Sequence, residues 1–138
     1  MTLTTPLPTA WAHLPNAKHI DRILSSLETN PEKWAAAWSG YARSLSAAWD
    51  AARYAIRGTA RDIVWEEAHG CTWEAAIRGA AGNKALDEAS SAILALIAWD
   101  DCAHMLDLAE ATLSELRAAG THPAILLSTA ASVLKETL

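Results

Sequence analysis

A chain of 138 residues with 51% hydrophobic and 20% charged side chains can build one domain with a real core, and this balance excludes an intrinsically disordered segment. A formal net charge of -5 excludes non-specific nucleic-acid binding as the main activity, although a local arginine cluster can still hold a phosphate. Two cysteines exclude a disulfide framework and a closed zinc site, and no apolar run approaches the ~20 residues of a membrane span.

The N-terminus, MTLTTPLPTAWAHLP, has no basic start and no apolar stretch, so a secretory signal is not expected. A reducing cytoplasm is expected instead, with Cys71 and Cys102 as small core residues. Residues 1–15, with three prolines, read as an extended arm, and residues 16–138 as a single helical domain. Asn16 is placed to cap a first helix over 17–28, with Ile20, Ile23, Leu24 and Leu27 on one face. Asn30-Pro31-Glu32 is a second helix start, with an Asn cap, Pro at the first helical position and an acid in the first turn. The helix it opens carries Trp34, Trp38, Tyr41, Leu45 and Trp49 as one aromatic stripe, and Gly40 weakens it without stopping it. Gly58-Thr59 predicts a break, because Gly suits a left-handed residue and Thr59 with Asp62 resembles a capping box. The alternative, one helix over 31–68, would span about 57 Å, too long for a compact domain of this size.

Beyond the break, a short helix over 60–69 is expected to end at Gly70, and Thr72 to cap another over 73–81. Gly82-Asn83 marks a turn. Residues 85–107 form the predicted centre of the fold, because Ala92 to Trp99 are apolar all the way round a helix and such a helix is buried on every side. Asp107 can cap a helix over 108–118, closed by Gly120, and Thr121-His122-Pro123 opens the last one. No strand-like alternation occurs. The predicted fold is therefore all-α: a compact bundle of six or seven helices around a buried central helix near residues 85–107. Alanine is frequent, and seven Trp stand beside no Phe, so closely packed helices with Trp filling the gaps are expected.

Two constellations carry possible chemistry. On the predicted central helix, Asp100 and Asp101 prolong stripes that are apolar one turn earlier, and buried carboxylates need a partner. Arg53, Arg57 and Arg61 recur every four residues, with Arg43 before them and Arg78 after. Asp50 can pair with Arg53, but Arg57 and Arg61 have no acid three or four residues away on their own helix. Their partner is either internal, a guanidinium forking onto Asp100 or Asp101, or external, a phosphate or nucleotide in a cleft with Trp99. The expected ligand-binding set is thus Arg53, Arg57, Arg61, Asp100, Asp101 and Trp99.

The second constellation is a pair of carboxylate-x-x-His steps, Glu66 with His69 and Asp101 with His104. Four-helix proteins that hold two metal ions use such steps on two helices and a lone Glu on each of the other two, and Asp50 and Glu74 follow that order. A divalent metal held by Glu66, His69, Asp101 and His104 is the alternative site, and a metal-dependent enzyme the alternative function. Phosphate loops, nucleophile elbows and His-Glu-x-x-His steps are missing, so no cofactor and no catalytic residue is expected.

The segments WAAAWSGYARSLSAAWDAARYA, IAWDDCAHMLDL and GTHPAILL, within Trp34 to Leu127, resemble a group of small Ala/Trp-rich helical proteins encoded by tailed bacteriophages. The resemblance implies a setting, the cytoplasm of a bacterial host, and an accessory role on host machinery. It implies no functional residues. The expectation is a non-enzymatic binding protein that occupies a host protein or sequesters a small anionic ligand, with a structural virion component as a further alternative. Partners are expected to be a host protein or a phosphate-bearing ligand, with no bulk nucleic acid and no membrane. Self-association is expected because Ala-rich amphipathic helices with many Trp expose apolar surface.

Overall fold

The computed structural model of the protein describes residues 10–37 and 42–136, with side chains from Leu45 to Lys135 in the second stretch. Trp38, Gly40, Tyr41, the side chain of Arg43 and the first nine residues of the expected arm lie outside the described residues. Within them the chain is all-helical: α1 (Ala17–Thr29), α2 (Pro31–Ala36), α3 (Ala42–Ile56), α4 (Ala60–Arg78), α5 (Asn83–Ala98), a short 3-10 helix (Ala103–Asp107), α6 (Glu110–Ala118) and α7 (His122–Glu136). The helices pack on one another, as the all-α reading expects, and none of the described helices is long and apolar enough to cross a membrane.

α5 is the axis of the bundle. It touches α1, α2, α3, α4 and α7, and every residue from Glu88 to Ile97 is buried. The apolar residues around its whole circumference are the cause, since each side meets another helix. The small residues Ala89, Ala92 and Ala95 are fully buried, and small side chains let neighbouring helices approach. Large side chains from the other helices and from the turns before α1 complete the core: Trp11, Ile20, Ile23, Leu27, Trp34, Trp65, Leu113 and Leu127. Buried indoles need an acceptor for Nε1–H. Trp11 donates to Asp21 at 2.8 Å, Trp34 to the Ser26 hydroxyl at 2.9 Å, and half-buried Trp49 to the Ser91 hydroxyl at 2.6 Å. Trp49 and Trp65 also meet edge to face, with ring centroids 5.6 Å apart.

Four expected boundaries shift. The helix opened at Pro31 does not run on to Trp49: α2 stops at Ala36, with Ala37 as its C-cap, and α3 begins at Ala42, so Trp34 and Trp49 belong to separate helices rather than to one stripe. The central helix ends at Ala98, not near residue 107: Trp99 is extended and the chain turns through Asp100 and Asp101. The early stop carries both acids to the surface, so neither continues a buried stripe. α4 runs unbroken through Gly70. Its inner face (Val64, Trp65, Ala68, Thr72, Ala75 and Ala76) is continuous across that position, and burying it outweighs the ~1 kcal/mol cost of a mid-helix glycine. Thr72 is accordingly no cap but an interior residue whose hydroxyl donates to the Ala68 carbonyl at 2.7 Å. Asp107 caps nothing either, since α6 opens at Ala109 without a side-chain cap. The expected extended arm is not extended over its described part: residues 10–15 form turns that bury Trp11 and Leu14 against the bundle.

Asn30 precedes α2 as read, with Pro31 at its first position, but its side chain donates to the Thr29 hydroxyl and does not cap the helix. Gly58, with φ +73, takes the left-handed turn, and the Thr59 hydroxyl accepts from the Arg61 backbone N–H, which starts α4 at Ala60. Residues 31–68 are therefore not one helix. Gly120, with φ +82, closes α6, and the Thr121 N–H reaches back to the Leu116 carbonyl at 3.0 Å. At the end of α4 the same closure, Ala81 N–H to the Ala76 carbonyl at 2.8 Å, places Ala80 at φ 54. The adjacent Gly79 serves another purpose. A Cβ there would lie 2.6 Å from the Glu28 carbonyl oxygen, so only glycine lets the ends of α1 and α4 touch.

Candidate functional site

A helix buried like α5 must satisfy its last carbonyls without water. Asn16 does not cap α1 through its side chain; its amide reaches across the fold and donates to the Leu96 and Trp99 carbonyls at 2.9 and 3.0 Å. Arg61, from the first turn of α4, donates from Nη1 to the Ile97 carbonyl at 2.8 Å. The Cys102 thiol donates to the Ala95 carbonyl at 3.4 Å. Arg61 is in turn held by Asp100, with Nη1 to Oδ1 at 2.6 Å and Nη2 to Oδ2 at 3.0 Å, a bidentate fork. The hydrogen bond from Arg61 keeps the Asp100 carboxyl below the usual carboxylate range. The internal partner expected for the acids thus exists for one of them. It is a surface clamp on a helix end, because the Asp100 side chain is 51% exposed.

Asp101 is exposed, its backbone carbonyl accepts from His104 Nδ1 at 2.7 Å, and among the described residues no ion pair engages its carboxylate. Trp99 is half-buried against the core. The expected ligand set is therefore split: Arg61, Asp100 and Trp99 close α5, and Arg53 and Arg57 stand elsewhere.

Those two arginines line a cleft of about 420 Å3 at the corner between α3 and α4, with Asp50, Tyr54, Ile56 and Asp62 as the other walls. Positions 50, 53 and 54 fall on one side of α3 by helical spacing, Arg57 stands in the turn just after it, and the Gly58 turn brings Asp62 to the same cleft. The expected Asp50–Arg53 pair does not form, and among the described residues no ion pair engages Arg53 or Arg57. Tyr54 is 77% exposed and Ile56 is buried, so the cleft has an aromatic wall and an apolar floor. Asp62 and Tyr54 were not among the expected site residues. The four-residue spacing of Tyr54 from Asp50, and the position of Asp62 just beyond the predicted turn, were the available signals.

The metal alternative loses its geometry. Glu74 lies on α4 with the Glu66–His69 step, where the four-helix pattern needs a separate helix, and Asp101 and His104 lie on a turn and a 3-10 helix. His69 packs its ring on Trp65 at 5.2 Å, and Glu74 faces Arg78 at 3.9 Å. Among the described residues no three His, Cys, Asp or Glu side chains gather to hold a metal. Neither thiol is activated: burial pushes Cys102 up to about 12, and burial with the negative charges of Glu74 and Glu67 raises Cys71.

No protein-family model matches the chain, and neither does any curated protein or solved structure.

Proposed function

We propose that the chain is a non-enzymatic binding protein that takes up a small phosphate-bearing ligand, of nucleotide type, in the α3–α4 cleft. One observation carries the reading: of three arginines on a four-residue ladder, Arg61 is spent on the end of α5, whereas Arg53 and Arg57 line a cleft and have no ion pair among the described residues. Two guanidinium groups one helical turn apart make a fork suited to phosphate oxygens. Tyr54 offers a flat ring for stacking a base, and Asp50 and Asp62 offer acceptors for its amino groups or for sugar hydroxyls. The mixed walls suit a ligand with an anionic end and a donor-rich end better than bare phosphate. The phage-type accessory setting rests on the Ala/Trp-rich segments and belongs to the same proposal, in which the protein acts by sequestration.

A thermal-shift screen with mononucleotides, dinucleotides and inorganic phosphate tests the reading. A true ligand at 100 times its Kd stabilises the fold by about 2.7 kcal/mol. The Arg53→Ala/Arg57→Ala variant should keep the unliganded melting temperature and lose the shift. No shift from any phosphate compound, or a shift that survives in the variant, would overturn it.

A further inference from the structure

α4 buries one face against α1, α3 and α5, and its opposite face is apolar along the crown. Ile63, Gly70 and Ile77 recur at intervals of seven, the spacing that keeps residues in line along a helix. Ile63 and Ile77 are each 65% exposed, and Trp73 beside them is 52% exposed, so this one helix carries three of the four large exposed apolar side chains among the described residues. Gly70 leaves a saddle in the middle of the stripe, since a Cβ there would meet nothing within 4 Å. Residues three further on flank one side and residues four further on flank the other. Glu66 thus joins Trp73 on one flank, and Glu67 and Glu74 form the other. All three acids are exposed; Glu74 is faced by Arg78 at 3.9 Å, and among the described residues no ion pair engages Glu66 or Glu67.

We propose that this face of α4 docks a basic amphipathic helix of another protein, whose apolar stripe lies on Ile63, Gly70, Trp73 and Ile77 and whose Lys or Arg residues meet Glu66, Glu67 and Glu74. The charge pattern selects this occupant. A second copy fits poorly, because an antiparallel pairing about Gly70 lays Glu67 against the partner's Glu74, and a parallel pairing also sets acid against acid. An anionic lipid surface is repelled by the same carboxylates. A cationic helix takes the hydrophobic stripe and neutralises both flanks at once, the helix-in-groove mode of recognition. The surface stands on observations separate from the α3–α4 cleft, so it holds or falls independently of the nucleotide reading.

The test uses the whole protein and two labelled synthetic helices of about five turns, each with a Leu stripe, one flanked by Lys and the other by Glu. Fluorescence anisotropy should show the Lys helix binding at least ~10-fold tighter than the Glu helix, with affinity falling several-fold from low to high salt. The Ile63→Ser/Ile77→Ser variant, which alters only exposed positions, should keep the helical circular dichroism and lose this binding. The proposal is overturned if both helices bind alike, if neither binds, or if binding survives in the variant. It is also overturned if the protein alone sediments as a dimer that the variant dissociates, because a second copy would then cover the face.

Discussion

Replacing Arg61 with Ala separates the two jobs that a ladder of three arginines divides between them. The side chain makes a two-pronged contact with Asp100 and one hydrogen bond to the Ile97 carbonyl. The contact with Asp100 is solvent-washed and contributes ~0.2–1 kcal/mol. The cation at the end of α5 and its bond to an otherwise orphaned carbonyl add ~0.5–1 kcal/mol, discounted because water reaches a group that is 29% exposed. Arg61→Ala should therefore cost about 1–1.5 kcal/mol, whereas Asp100→Ala, which leaves the guanidinium on the Ile97 carbonyl, should cost about 0.5 kcal/mol. Arg57→Ala, with no ion pair to lose among the described residues, should stay within about 0.5 kcal/mol of the parent. Urea unfolding of the three variants and of the Arg61→Ala/Asp100→Ala double measures all of this, and the double-mutant cycle isolates the pair. The pH dependence gives a second check. Asp100 titrates lower in the folded chain than in the unfolded one, so its contribution is complete above the unfolded value and disappears as pH falls through the folded value. The gap between parent and Arg61→Ala should narrow below about pH 4 and keep only the carbonyl part. Equal costs for Arg57→Ala and Arg61→Ala, or a gap that ignores pH through the acid range, would refute the assignment.

Other substitutions probe the frame. Ser90→Ala should stabilise by up to about 1 kcal/mol in denaturant titration, because the buried Ser90 hydroxyl has no hydrogen-bond partner. Gly79→Ala should cost at least about 2 kcal/mol, since the Glu28 carbonyl it would strike is backbone and α1 must move to admit a methyl. Ala80→Gly should raise the melting temperature by a degree or two, because it relieves a left-handed alanine worth ~1 kcal/mol and gives part of that back as unfolded-chain entropy. Alkylation at about pH 8 should spare Cys102 until the protein unfolds, as its thiol titrates only near 12 when folded.

How much of this was legible in the sequence depended on whether the signal was local. Asn30-Pro31, Gly58-Thr59 and Gly120 are short-range chemistry, and each marks a real helix end. The burial of α5 was also readable, because its apolar residues leave no polar face. Gly70-Cys71-Thr72 carried the same kind of local signal as Gly58-Thr59 and meant the opposite, since tertiary packing of the Val64-to-Ala76 face overrides a weak breaker. The end of α5 was misread for a related reason: periodicity cannot tell a helix that continues with buried acids from one that stops to keep them wet. The decisive contacts, Asn16 to Leu96 and Arg61 to Ile97, join residues far apart in sequence and leave no trace in spacing. The division of the arginine ladder followed from those contacts, and with it the location of the cleft.

The side chains of Asn16 and Arg61 both precede the helix they close. As the chain leaves the ribosome, α5 emerges after the amide and the guanidinium that will seal its final carbonyls have already been synthesised. Two of the hydrogen-bond donors to the open end of the most water-averse segment are thus available before the Cys102 thiol and α7, which complete its cover, have been made.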